Sequence, residues 1–159
     1  MTPLSILIIG IGNILLGDEG VGCHVIDRLK NSNLPGSVTL VNCGTDLLSM
    51  QNFYAGQSMI IVLDAIQTGK VPGTLHCIRE SDFDCFLRKT ESAHQLSAIE
   101  AVILLKKMFS EYARTEFIFL GIEPDSTSIG QELSPAVEAA IPSLLEEIRM
   151  LVQIQENSA

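Results

Sequence analysis

Runs of consecutive apolar residues alternate along this chain with stretches whose apolar positions recur every three or four residues. Leu4-Ser-Ile-Leu-Ile-Ile9 and Met59-Ile-Ile-Val-Leu63 read as strands buried on both faces of a sheet. Val38–Asn42 and Glu116–Gly121 read as two more. From Glu19 to Asn31, residues Val21, Val25, Ile26 and Leu29 fall on one helical face, and the segment ends near Asn33-Leu-Pro-Gly36. A short helix is expected around Asp46–Tyr54. A long one is expected from His94 to about Tyr112, with Leu96, Ile99, Val102 and Ile103 on its apolar side. Ser134-Pro135 opens the last helix with proline in the first turn, and Pro142 is expected to kink or interrupt it.

Thr74–Arg79 reads as one further strand after the turn Thr68-Gly-Lys-Val-Pro-Gly73. Its short connection from the strand ending at Leu63 suggests a hairpin, hence an antiparallel member. Glu80–Glu91 is polar and reads as irregular, with Phe83 and Phe86 interleaved, and Glu123–Gln131 reads as a loop. The order β-α-β-α-β-β-α-β-α predicts an α/β fold class. Its architecture is three-layer α/β/α around a mainly parallel, twisted sheet of about five strands, one of them antiparallel. The 159 residues carry no repeat or long linker and suit a single domain with one core, residues 152–159 reading as a flexible tail.

Composition narrows the partners. A formal net charge of −9 argues against nucleic acid. No apolar run approaches the roughly 20 residues of a membrane span. Met-Thr-Pro-Leu-Ser at the N-terminus lacks the basic region of a signal peptide, so a cytoplasmic protein is expected. No strong interface signal stands out, and a monomer is expected. Cys23, Cys43, Cys77 and Cys85 form no Cys-x-x-Cys pair and no zinc cassette. Three read as buried or half-buried thiols of a reducing compartment. Cys43 ends a strand near the presumed site, and its role stays open.

The candidate chemistry starts at Gly10-Ile-Gly-Asn-Ile-Leu-Leu-Gly-Asp-Glu-Gly-Val-Gly22, which follows the first strand. A glycine loop running into a helix start is also how phosphates are bound. Here the third glycine of a dinucleotide fingerprint is missing after Leu15, and Asp18 and Glu19 would repel a pyrophosphate. The acidic pair points to a cation instead. Asp18 reads as the N-cap, with Glu19 in the first turn. Asp64 stands at the carboxyl end of a strand. Ser92-Ala-His-Gln95 fits a capping box that puts His94 in a first turn, where the positive helix end favours neutral imidazole. In open α/β sheets ligands bind outside the carboxyl ends of the strands, so Glu19, Asp64 and His94 could converge. Two carboxylates and an imidazole suit zinc or nickel with open positions. Taken singly, each has a plainer role: Glu19 against a helix dipole, Asp64 capping a turn, His94 in a cap or on the surface. His24 and His76 read as structural or solvated. Gly-x-Ser-x-Gly is absent, and sequence places no base beside Cys43 or Cys23.

The glycine-rich segment resembles the N-terminal signature of the hydrogenase maturation endopeptidases. Ile61-Val-Leu-Asp-Ala-Ile66, Pro72-Gly-Thr74, Ser92-Ala-His-Gln-Leu96, Gly121-Ile-Glu-Pro124 and Leu133-Ser-Pro-Ala-Val137 agree with that family in order, up to about Val152. The resemblance implies an aspartic-type endopeptidase whose partner is the large-subunit precursor of a nickel–iron hydrogenase, from which it removes a short C-terminal extension. It implies that Glu19, Asp64 and His94 recognise nickel already inserted in that precursor, with zinc or cadmium as substitutes. Many members carry Asp-Gly-Gly-Thr where this chain has Asn42-Cys43-Gly44-Thr45, so a catalytic acid at position 42 is not expected here. A non-catalytic metal-sensing chaperone of the immature subunit would use the same three ligands. A nucleotide-binding α/β protein is the weaker third reading.

Overall fold

Ile6–Ile11 forms strand β1, and all six residues are buried. Ile6 and Ile8 enter one core, while Leu7, Ile9 and Ile11 enter the other, as the period of two requires. The computed structural model describes residues 4–130 and 132–158, without the side chain of His94. β2 (Val38–Gly44), β3 (Met59–Ala65), β4 (Leu75–Arg79) and β5 (Glu116–Ile122) complete a sheet of order β2-β1-β3-β5-β4. All neighbours are parallel except β4 and β5. Helices α1 (Val21–Lys30) and α4 (Pro135–Asn157) cover one face, and α2 (Phe83–Lys89) and α3 (Ala93–Met108) cover the other. The expected α/β class and mainly parallel sheet are therefore observed. No helix among the described residues is long and apolar enough to cross a membrane.

Four expectations are corrected. β4 is antiparallel, but its partner is β5 and not β3, so no β3–β4 hairpin forms. Burial explains the exchange: Phe117–Ile122 is buried throughout and takes the inner place beside β3, whereas Leu75 and Cys77 are exposed and suit an edge. The segment Glu80–Glu91 is not irregular; it forms a 3-10 turn over Glu80–Asp82 and then α2. Phe83 enters the core edge-on to Phe119 at 5.8 Å, and the Glu80 carboxylate accepts from the Phe117 N–H and from Lys106 Nζ, each at 2.7 Å. Pro142 does not interrupt α4. Its ring costs a bond to the Glu138 carbonyl, but both residues are exposed and water can serve that oxygen. The flexible tail expected over 152–159 is helical through Asn157: α4 continues past buried Val152, and Gln155 donates to Ser58 Oγ at 3.0 Å.

Candidate active site

Chain connections leave β1 and β3 toward opposite sides of the sheet, which makes their carboxyl ends the topological switch point. Two glycines bring α1 down onto this edge. Gly12 has φ +127°, and a Cβ there would lie 1.9 Å from the Glu19 carbonyl oxygen. A Cβ on Gly22 would lie 2.1 Å from the Leu63 carbonyl oxygen. No larger residue fits either place. The 3-10 turn Gly17–Gly20 is thereby held at the edge with its acidic pair.

The two acids of that turn face different surroundings. Asp18 is fully buried and caps neither the turn nor α1, contrary to expectation. Its carboxylate instead accepts N–H bonds from Asp125, Ser126 and Ser134 at 2.7–3.0 Å and the Ser134 hydroxyl at 2.7 Å. Ser134 is the N-cap of α4 and accepts from the Val137 N–H, so one carboxylate clasps both ends of the β5–α4 loop. Burial pushes the Asp18 carboxyl up, but these donors outweigh it and hold it below the usual carboxylate value. Glu19 is half-buried, and its side chain makes no hydrogen bond or ion pair among the described residues. It lines a cleft of about 150 Å³ together with Ala65, Gln67, Ser92, Gln95, Pro124 and Thr127.

Ala65 at the end of β3 and Gln95 in the first turn of α3 line the cleft with Glu19, whereas Asp64 is not among its described lining residues. Asp64 is buried at the carboxyl end of β3, one residue before Ala65, and its Oδ1 accepts the Ala65 N–H at 2.8 Å. His94 is the second residue of α3, in the first turn as expected, and its side chain lies outside the described residues. Among the described residues no three His, Cys, Asp or Glu side chains are placed to hold a metal. The capping box expected at Ser92 does not form. The Ser92 hydroxyl meets Gln95 Oε1, and Gln95 Nε2 donates to the Ala65 carbonyl at 2.7 Å, so Gln95 ties the start of α3 to the end of β3.

Sequence reasoning missed Glu123. It is buried beyond β5 and accepts from Thr68 N–H, Thr68 Oγ1 and Gly69 N–H at 2.8–3.0 Å, with His76 Nε2 at 2.8 Å. The available signal was a carboxylate between an apolar strand and a proline. Burial pushes its carboxyl up, and the donors, Thr68 first, pull it below its ordinary value. Glu123→Gln should cost about 2 kcal/mol, a melting point lower by roughly 5 °C in calorimetry. His76 is structural, as expected, and His24 is half-buried on α1. Burial pushes the Cys23 and half-buried Cys43 thiols up, and neighbouring aspartates add to it, which disfavours the thiolate a nucleophile needs. Cys77 and Cys85 are exposed and not buried: one sits on an edge strand, and the other on α2 beside the open space between α2 and that strand. Asn42 is exposed and turns the chain by accepting the Gly44 N–H at 3.1 Å.

Comparison with known proteins settles the family. A sequence model of hydrogenase maturation proteases matches residues 23–150. The chain belongs to the hydrogenase maturation protease family. Hydrogenase 2 maturation protease of Escherichia coli is 30% identical over 147 residues, covering 91% of this chain and 88% of the relative. The fold is similar to that of the hydrogenase maturating endopeptidase HybD of E. coli, with TM-score 0.80, 27% identity and coverage of 94% and 93%. It is likewise similar to the NiFe hydrogenase maturation protease HybD of Thermococcus kodakarensis, with TM-score 0.81, 29% identity and coverage of 94% and 99%. As a hydrogenase maturation protease the chain is an endopeptidase.

Proposed function

We propose that this protease removes a C-terminal extension from a nickel–iron hydrogenase large-subunit precursor after nickel insertion, and that Glu19, Asp64 and His94 receive the precursor's nickel. The observation that carries the reading is Glu19: a carboxylate without a partner among the described residues, facing a cleft at the switch point. An unpaired carboxylate beside low-dielectric walls attracts a cation. The oxygen, oxygen and nitrogen donors of the proposed set suit nickel, which arrives here as part of the substrate. Asp18 and Gln95 would fix the walls around it, since one holds the β5–α4 loop and the other joins α3 to β3. Four free cysteines favour a reducing compartment such as the cytoplasm.

The test is cleavage of nickel-loaded and nickel-free precursor by the purified protein, followed by mass spectrometry of the large subunit. Cleavage of the loaded form alone is expected. Equal cleavage of both would remove the metal gate, and binding without cleavage of either would favour a chaperone.

A further inference from the structure

β4 ends the sheet, and its outer side carries open main-chain groups. The Glu123 N–H donates to the Thr74 carbonyl, and the Ile66 N–H donates to the Ile122 carbonyl, so alternate residues of β5 face β4 and β3. By that alternation His76 and Ile78 bond to β5, while the N–H and C=O of Leu75, Cys77 and Arg79 point away from it. The Arg79 N–H is taken by the Asp82 carboxylate at 3.2 Å. Leu75 and Cys77 have no such cover among the described residues. Both side chains are exposed. Leu75 is opposite Ile122, so this open stretch starts at the sheet edge that holds the Glu19 cleft, and Asp82 closes it at the far end.

A groove of about 940 Å³ runs beside this strand, between β4 and α2. That is the upper range for a ligand pocket. Ile78 and half-buried Phe86 give it an apolar floor, with Lys70 and Lys89 on its walls. Gln67 and Ser92 line both this groove and the Glu19 cleft, so the two spaces adjoin.

We infer that the free edge of β4 seats the protein substrate as an added strand. An extended stretch of the precursor's polypeptide pairs with the main chain of Leu75 and Cys77, lies over Ile78 and Phe86, and is delivered to the Glu19 cleft. Strand addition gives affinity through the main chain and leaves selectivity to the groove side chains. An extended peptide is the occupant these features select. The open groups are backbone donors and acceptors, the groove is long and adjoins the cleft, and an endopeptidase must hold a length of chain across its site. The inference rests on the precursor being the substrate.

Amide exchange at Leu75 and Cys77, followed in the native protein with and without precursor, tests the contact. At least tenfold slowing at both on adding precursor is expected. A second arm compares Cys77→Pro with Cys77→Ala. Proline at 77 removes an outward N–H and leaves the β4–β5 bonds intact, whereas alanine keeps the N–H. Cleavage by Cys77→Pro should fall at least tenfold below that of Cys77→Ala, through KM more than kcat, with equal melting points. Unchanged exchange in a native protein that cleaves its precursor would overturn the inference and leave the proposed function standing. So would slowing that depends on the protein's own concentration, since a second copy would then fill the edge. A native protein that cleaves no precursor defeats the function and the inference together. If Cys77→Pro melts early, the exchange arm alone decides.

Discussion

Glu19→Gln is expected to lower precursor cleavage by at least about 100-fold, which corresponds to roughly 2.7 kcal/mol of lost transition-state stabilisation. The substitution keeps the shape of the side chain and removes its charge. A neutral amide offers a cation one weak oxygen in place of a carboxylate. The change should leave stability within about 0.5 kcal/mol, because the Glu19 side chain has no partner among the described residues to lose. Initial rates with nickel-loaded precursor, read beside a melting curve, check both halves. A variant that cleaves at the native rate would take Glu19 out of the site.

Asp18→Asn should behave in the opposite way. The carboxylate accepts from four groups, and an amide has one oxygen for them and turns an N–H₂ toward the rest. A loss of about 3–4 kcal/mol is expected, near 10 °C in melting temperature. Activity should fall as well, because the freed loop carries Pro124 and Thr127 of the cleft wall. The pH dependence has a definite sign. Unfolded, Asp18 and Glu123 titrate near their ordinary values of 3.8 and 4.5, and folded they stay charged to lower pH. The folded state therefore binds fewer protons in that window. Its stability is fully present above those values and is lost as pH falls through the folded ones. Denaturation curves from pH 7 to 3 should show the decline, and Asp18→Asn should flatten it. A native protein equally stable at pH 3 and pH 7 would contradict this.

Adjacent acids with opposite duties mark where sequence reading stops. The apolar runs at β1, β3 and β5 were legible because strands covered on both faces leave nearly no polar positions. The first-turn place of His94 was legible because helix starts are local signals, whereas Glu19, expected in the first turn of α1, sits in the 3-10 turn before it. Asp18 was misread as a cap because its donors lie more than 100 residues away at Asp125, Ser126 and Ser134. Gln95 and Glu123 escaped for the same reason: each serves backbone groups of the 65–69 segment, a contact that tertiary structure alone creates. The β4 pairing was lost because a short connection argues for a neighbour in sequence, whereas burial gave the inner place to the more apolar β5.

The place of β5 between β3 and β4 also governs how the chain is assembled. β4 leaves the ribosome about forty residues ahead of the strand it pairs with, which is some 2–8 s at ordinary rates of synthesis. During that interval the β1–β3 pair has no neighbour on its growing side, and β4 has nowhere to dock. A nascent chain halted before Glu116 therefore exposes the side of β3 that β5 will cover, and the sheet closes only when Glu116–Ile122 slots in. The last-made strand acts as the keystone of the sheet, and the face it completes stays open until α4 follows.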